Sequence, residues 1–233
     1  MSNEQEFGPQ ESSVIEREFD PLSYSGLGDA IASAFIRQPR QPLESFVGGA
    51  SSGVYALYYH GEHDAYARLR QNWFSESEIL KVPIYVGMGI TRSNKGVEPV
   101  SSNRLRSRIT GYRGKIEKVD LHSRDFHVVF LTMRDAWAVL AETYLISNFR
   151  PVWNVAVQGI GGNAPGRNRG SAFSDWDALH PGRQTQGPRV AEALERRPAI
   201  LKRVREMLDE FFVGRYSSLT DDLRPGFVGR HER

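Results

Sequence analysis

Two tyrosines stand thirty residues apart in short apolar runs, Tyr55 in Gly-Val-Tyr and Tyr85 in Tyr-Val-Gly. Arg108 and Tyr112 follow at a spacing of four, which places them on one face of a helix. Glu142 and Asn154 come later. A phenol, with a free pKa of about 10, can move a proton in catalysis only if its surroundings assist it. A guanidinium carries a permanent charge and offers two parallel donors to a phosphate. A carboxylate is a hard oxygen ligand suited to Mg²⁺, which keeps most of its positions for water and phosphate oxygens. Hydrolysis of a phosphodiester needs these functions: an activated water, neutralised phosphoryl charge and help for the leaving oxygen. Each residue alone also has a plainer role, since strand tyrosines pack, helical glutamates face solvent and asparagines cap loops.

The charge pattern bears on the same question. Over 233 residues, 30 Lys and Arg against 28 Asp and Glu leave a formal charge of +2. Residues 81–115, however, hold eight basic side chains and one acidic, whereas residues 1–45 hold three and eight. Arg104, Arg106, Arg108, Arg113 and Lys115 crowd the end of that basic stretch. Such a field attracts a polyanion, because each phosphate neutralised releases counterions. A solvated helix face would carry the same charges. The chain has no cysteine, which excludes a disulfide scaffold, a cysteine-type zinc finger and a thiol nucleophile. No apolar run approaches the ~20 residues of a membrane span, and the acidic first twenty residues lack the apolar stretch of a secretory signal. A cytoplasmic protein is expected.

The elements that must position these residues follow from periodicity and punctuation. Residues 53–59 and 83–87 read as strands, close enough to pair antiparallel with an excursion between them. A short helix is expected over 66–73, and the basic segment 101–119 reads as a helix capped by Ser101 or Ser102. Residues 126–131, apolar along nearly their whole length, form a third and central strand. Asp135 opens a helix whose apolar stripe runs through Trp137, Leu140, Ala141, Tyr144, Leu145 and Asn148, with Pro151 as its stop. Residues 152–157 read as a further short strand or ordered coil. A last helix starts near Pro198, with Leu201, Val204, Leu208 and Phe211 on one face, ready to pack on the core or on a second subunit. The division expected is an N-terminal arm over 1–45, a core over 46–157, a glycine- and arginine-rich loop over 158–185 and a helical extension over 186–233.

Taken in order, Gly53-Val-Tyr55, Tyr85-Val-Gly87, Arg108 with Tyr112, Glu142 and Asn154 resemble the GIY-YIG nuclease family. The runs Gly-Asn-Ala-Pro-Gly-Arg at 162–167 and Trp-Asp-Ala-Leu-His-Pro-Gly-Arg at 176–183 are similar to the tail of its restriction-endonuclease branch. The resemblance implies an α+β fold: a small, three-stranded, mostly antiparallel sheet flanked by helices, with N- and C-terminal extensions that embrace DNA. It also implies catalytic roles for Tyr55, Tyr85, Arg108, Tyr112, Glu142 and Asn154. Tyr55 would be the general base, Tyr85 would orient water or phosphate, Arg108 would clamp the scissile phosphate and Glu142 would hold one Mg²⁺. Where the family often has lysine after the second motif, this chain has Met88.

The function so implied is that of a type II restriction endonuclease, cutting double-stranded DNA at a palindromic site as a homodimer. DNA contacts are expected from Arg104, Arg106, Lys115, Arg167, Arg169 and Arg183, the last three touching bases or phosphates. A structure-specific or repair nuclease and a non-catalytic DNA-binding protein are the alternatives, the latter favoured by Met88. The 159–170 glycine loop lacks the Lys-Ser/Thr ending of a P-loop, so no nucleotide cofactor is expected. His60 and His63 suggest a metal pair by spacing, but no third ligand follows nearby in sequence.

Overall fold

The computed structural model describes residues 24–49, 51–75, 81–90, 103–161, 174–182 and 188–215. Alternating β-branched and aromatic residues make β2 (Gly53–Tyr59) and β4 (Phe126–Thr132), and the glycine-rich β3 (Tyr85–Gly89) pairs with β2. All pairings are antiparallel, in the order β1-β4-β2-β3. The sheet thus has four strands rather than three. The additional β1 is only Gln41–Pro42, and its proline sits on an edge, where the missing N–H is harmless.

Alternation along β2 sends its side chains into two cores. Tyr55, Leu57 and Tyr59 face a layer built from α2 (Ala67–Ser75), α3 (Arg104–Ile116) and the C-terminal helices. Val54, Ala56 and Tyr58 face α1 (Tyr24–Ile36) and α4 (Asp135–Phe149), which contribute Ala32, Phe35, Ile36, Ala141, Leu145 and Phe149. The buried stripe of α4 runs through Ala138, Ala141, Leu145 and Phe149; it shares Ala141 and Leu145 with the expected one, while at its ends Ala138 and Phe149 are buried instead of Trp137 and Asn148. Trp137 is 46% exposed, and the small Ala138 lies against the core in its place.

Two further differences concern the C-terminal half. Residues 152–155 form a short helix, α5 (Val152–Val155), rather than a strand. The valines suggest a strand, but Pro151 caps a tight turn instead, and the Trp153 N–H bonds to the Ile84 carbonyl at 2.9 Å. The last helix, α7 (Pro188–Glu210), begins ten residues before Pro198 and carries that proline in its interior, at the cost of one i−4 hydrogen bond. Its Ile200, Val204 and Leu208 are buried in the chain's own core. Among the described residues no helix is long and apolar enough to cross a membrane.

A buried polar chain ties α6 (Asp175–Leu179) to the core. Trp153 Nε1 donates to Tyr66 Oη at 2.8 Å, Tyr66 Oη lies 2.6 Å from His180 Nε2, and His180 Nδ1 lies 2.7 Å from an Asp120 oxygen. The directions are consistent with a neutral His180 that accepts from Tyr66 and donates to Asp120. Burial pulls the His180 pKa down to about 4 in spite of the Asp120 carboxylate. Burial also raises Asp120, but hydrogen bonds from His180 and His63 outweigh it and hold that carboxyl well below its usual range. An unfolded histidine titrates near ~6.5, so between there and about pH 4 the unfolded chain binds a proton that the native one refuses. Stability conferred by His180 is full above that window and is lost as pH falls through it; the Asp120 contribution is lost only below the ordinary carboxylate range, ~4. Urea unfolding of wild type and His180→Gln at pH 7.5 and 4.5 checks this: the wild type should lose more stability on acidification than the variant.

Candidate active site

β3 is one of the two edge strands of the sheet, at the end opposite β1. Its outward-facing backbone groups are met by side chains from two helices. Asn154 on α5 accepts from the Val86 N–H at 2.8 Å and donates Nδ2 to the Val86 carbonyl at 2.9 Å, so its amide imitates a neighbouring strand. Two residues along the same edge, the Met88 N–H bonds to the Glu142 carboxylate, which arrives from α4. Glu142 is half-buried. Burial raises its pKa, opposed by the Met88 N–H and by the charge of Arg108.

On the other face of β3 three phenols converge. The Tyr55 hydroxyl donates to that of Tyr112 at 3.0 Å, and ring centroids lie 6.2 Å apart for Tyr55–Tyr85, 5.8 Å for Tyr55–Tyr112 and 5.3 Å for Tyr85–Tyr112. Tyr55 and Tyr112 are buried and Tyr85 is partly exposed. Burial pushes all three pKa values above the ordinary phenol value, well above it for Tyr55 and Tyr112. Arg108 works against that rise at Tyr55 and Tyr85, so its charge reaches both phenols as well as Glu142.

Glycines make this convergence possible. Gly87 is the cross-strand partner of Tyr55, and a Cβ there would stand 2.6 Å from the Tyr55 hydroxyl. Gly89 lets the first turn of α3 lie directly on the strand, where a Cβ would come within 2.6 Å of the Leu105 backbone. Gly87 of the motif and Gly89 just after it therefore clear space for one phenol and for the helix that carries Arg108 and Tyr112.

The six residues singled out in sequence, Tyr55, Tyr85, Arg108, Tyr112, Glu142 and Asn154, are thus gathered around β3. The basic residues divide. Arg104 lies exposed on α3 one turn before Arg108. Arg106 donates to the carbonyls of Val47 and Gly48, and Lys115 donates to the Ile160 carbonyl at 2.8 Å. Arg167, Arg169 and Arg183 lie outside the described residues, as do Ser101 and Ser102. Sequence reasoning missed the segment that Lys115 holds: a Cβ on Gly161 would lie 3.0 Å from the Tyr85 hydroxyl, so this loop borders the phenols. It also missed the buried role of His180, for which a histidine at the end of an apolar Trp-Asp-Ala-Leu turn was the available signal.

Residues 47–209 match the family described as the Eco29kI GIY-YIG domain, well over half of the chain. The chain is a member of this GIY-YIG restriction-endonuclease family. No curated protein matches it. The match runs past the phenols and the β3 edge to include α6 and nearly all of α7.

Membership in a GIY-YIG nuclease family directs attention to a divalent cation, and two places offer ligands. His63, Asp120 and His180 can each present one atom, all within 4.8 Å of one another, so His63 finds in space the partners that sequence spacing did not reveal. Their lone pairs are already in use. His63 Nδ1 accepts from the Ala65 N–H, and His180 Nε2 and Nδ1 face Tyr66 and Asp120. His60 pairs instead with His127 at 2.9 Å. Glu142 fits a hard cation better: one carboxylate beside the phenols and Arg108, outside any three-ligand cluster among the described residues, suits an ion that keeps its waters.

Gly87→Ala tests the spacing argument. The added methyl must displace the Tyr55 hydroxyl, and a misplacement of about 1 Å can cost ~100-fold in rate. DNA cleavage should fall by that order while the far-ultraviolet circular dichroism spectrum is unchanged; wild-type cleavage would refute the argument.

Proposed function

We propose that this GIY-YIG nuclease is a type II restriction endonuclease that hydrolyses both strands of DNA at a palindromic site, using Mg²⁺ held by Glu142. The observation that carries the reading is the meeting of three phenols, one arginine and one carboxylate around a single strand edge. Mg²⁺ there would supply positive charge for the phosphoryl oxygens. Arg108 binds the scissile phosphate with its planar fork, offsetting the negative charge that develops on the equatorial oxygens in the transition state. Asn154 fixes the β3 edge against which Glu142 is aligned.

Tyr55 is the general base, and its raised pKa constrains how it acts. As a phenol well above pH 7 it cannot wait as a phenolate. It can accept a proton from water as its own proton passes to Tyr112 and the Tyr112 proton passes to Tyr85. Tyr85, the most exposed of the three, then releases a proton to solvent. Each phenol gains one proton and loses one, so no phenolate accumulates. Hydroxyl rotors permit this direction across the 3.0 Å contact between the Tyr55 and Tyr112 hydroxyls.

One such centre cuts one strand, so a palindrome calls for two copies related by a two-fold axis. Arg167, Arg169 and Arg183 are the candidates for guanine or phosphate contacts, and Arg104 for the backbone near the cut.

Incubation of plasmid DNA with Mg²⁺ tests the whole reading: discrete fragments are expected, smeared nicking would indicate a structure-specific nuclease, and binding without cleavage would indicate a non-catalytic protein. Glu142→Ala should abolish cleavage, and Tyr55→Phe should lower it by about 10²–10⁴-fold, the usual worth of a positioned general base. Protons compete with Mg²⁺ for the Glu142 carboxylate, so cleavage should be lost as pH falls, and raising the Mg²⁺ concentration should move that loss to lower pH.

A further inference from the structure

Beside Arg108 a cleft of about 400 Å³ opens at the end of β3, lined by Met88, Ile90, Arg104, Ser107 and Arg108. Its size falls within the ~300–1,000 Å³ of small-molecule sites, ample for one nucleotide. Its two sides differ in chemistry. Arg104, Ser107 and Arg108 on α3 offer charge and hydrogen bonds, whereas Met88 and Ile90 offer only apolar surface. Arg104 precedes Arg108 by one turn, a rise of about 6 Å, comparable with the separation of neighbouring phosphates along a DNA strand. Met88 does two things at once: its N–H holds Glu142, and the residue lines the cleft.

We propose that this cleft seats the nucleotide next to the scissile phosphate, with Arg104 on the adjoining phosphate and Met88 and Ile90 against its sugar, so that deoxyribose is selected at that position. The inference rests on the nuclease reading above and deepens it. With both arginines engaged by phosphates and Ser107 on α3 beside them, a 2′-hydroxyl held on the β3 side, against the thioether and the isoleucine, has no partner among the described lining residues. A buried hydroxyl without one costs ~1–3 kcal/mol, which corresponds to roughly 5- to 150-fold in rate. The residue at 88 thus becomes a specificity determinant: a lysine there would reach for phosphate, while methionine reads the sugar.

Once a plasmid digest has located the cut, duplexes carrying one ribonucleotide on either side of the scissile phosphate, or three positions away, are compared with the all-DNA duplex. One of the two adjacent substitutions should slow cleavage by about tenfold or more, within the range set by an unpaired hydroxyl, and the distant one should not. Met88→Gln, of similar volume but able to bond a hydroxyl, should bring that ratio to within about threefold of unity. Arg104→Gln should reduce the salt slope of DNA binding by about one phosphate. Equal cleavage of all the duplexes by wild type, or a ratio unchanged in Met88→Gln, overturns the inference. Failure to cut the all-DNA duplex would instead overturn the nuclease reading, so the two failures are distinct.

Discussion

An edge strand leaves alternate N–H and C=O groups pointing away from its sheet, and each costs about 1–3 kcal/mol if it is covered without a partner. In β3 this requirement organises the site. Asn154 takes both backbone groups of Val86, Glu142 takes the N–H of Met88, and the Trp153 N–H meets the carbonyl of Ile84 just before the strand. The groups that close the edge therefore come from α4 and α5, and in closing it they bring a carboxylate to one side of the strand. The opposite face receives Tyr112 and Arg108 from α3, because Gly89 lets that helix lie on the strand backbone.

Electrostatics at this edge reflects a balance between burial and one permanent charge. Desolvation raises Tyr55, Tyr85, Tyr112 and Glu142 together, and the charge of Arg108 opposes it at Tyr55, Tyr85 and Glu142. A site of this kind favours proton movement between neutral groups over storage of negative charge. Of the eight basic residues over 81–115 that give the chain its strongest positive field, Arg104 and Arg108 line the cleft at this edge. The acidic N-terminal residues balance that field in the whole-chain sum and conceal it there.

Much of this was legible in the sequence. The strands at 53–59 and 126–132 follow from their β-branched and aromatic runs, and the order of Tyr55, Tyr85, Arg108, Tyr112, Glu142 and Asn154 carries the family. What escaped was set by tertiary contacts. Val152 and Val155 have strand propensity, but Pro151 and the demand of the β3 edge turn them into a helix. Pro198 looks like a helix start and is carried in the interior of α7. Trp137 looks like core and is partly exposed, since helix periodicity places a stripe only to within a residue. His180, Asp120 and Tyr66 meet across more than a hundred residues, a distance over which no local pattern reports. The same holds for Lys115, whose charge suggests DNA while its ammonium group bonds to a backbone carbonyl.

The central claim is that side chains closing the edge of β3 are what assemble the catalytic groups. Residue-resolved hydrogen exchange of the Val86 and Met88 amides, in wild type and in Asn154→Ala, tests it most directly when paired with cleavage rates. Both amides should be protected in the wild type despite lying on an edge. In the variant Val86 should lose protection, and DNA cleavage should fall with it. Rapid exchange at Val86 in a fully active wild-type enzyme, or undiminished cleavage by Asn154→Ala, would contradict the account.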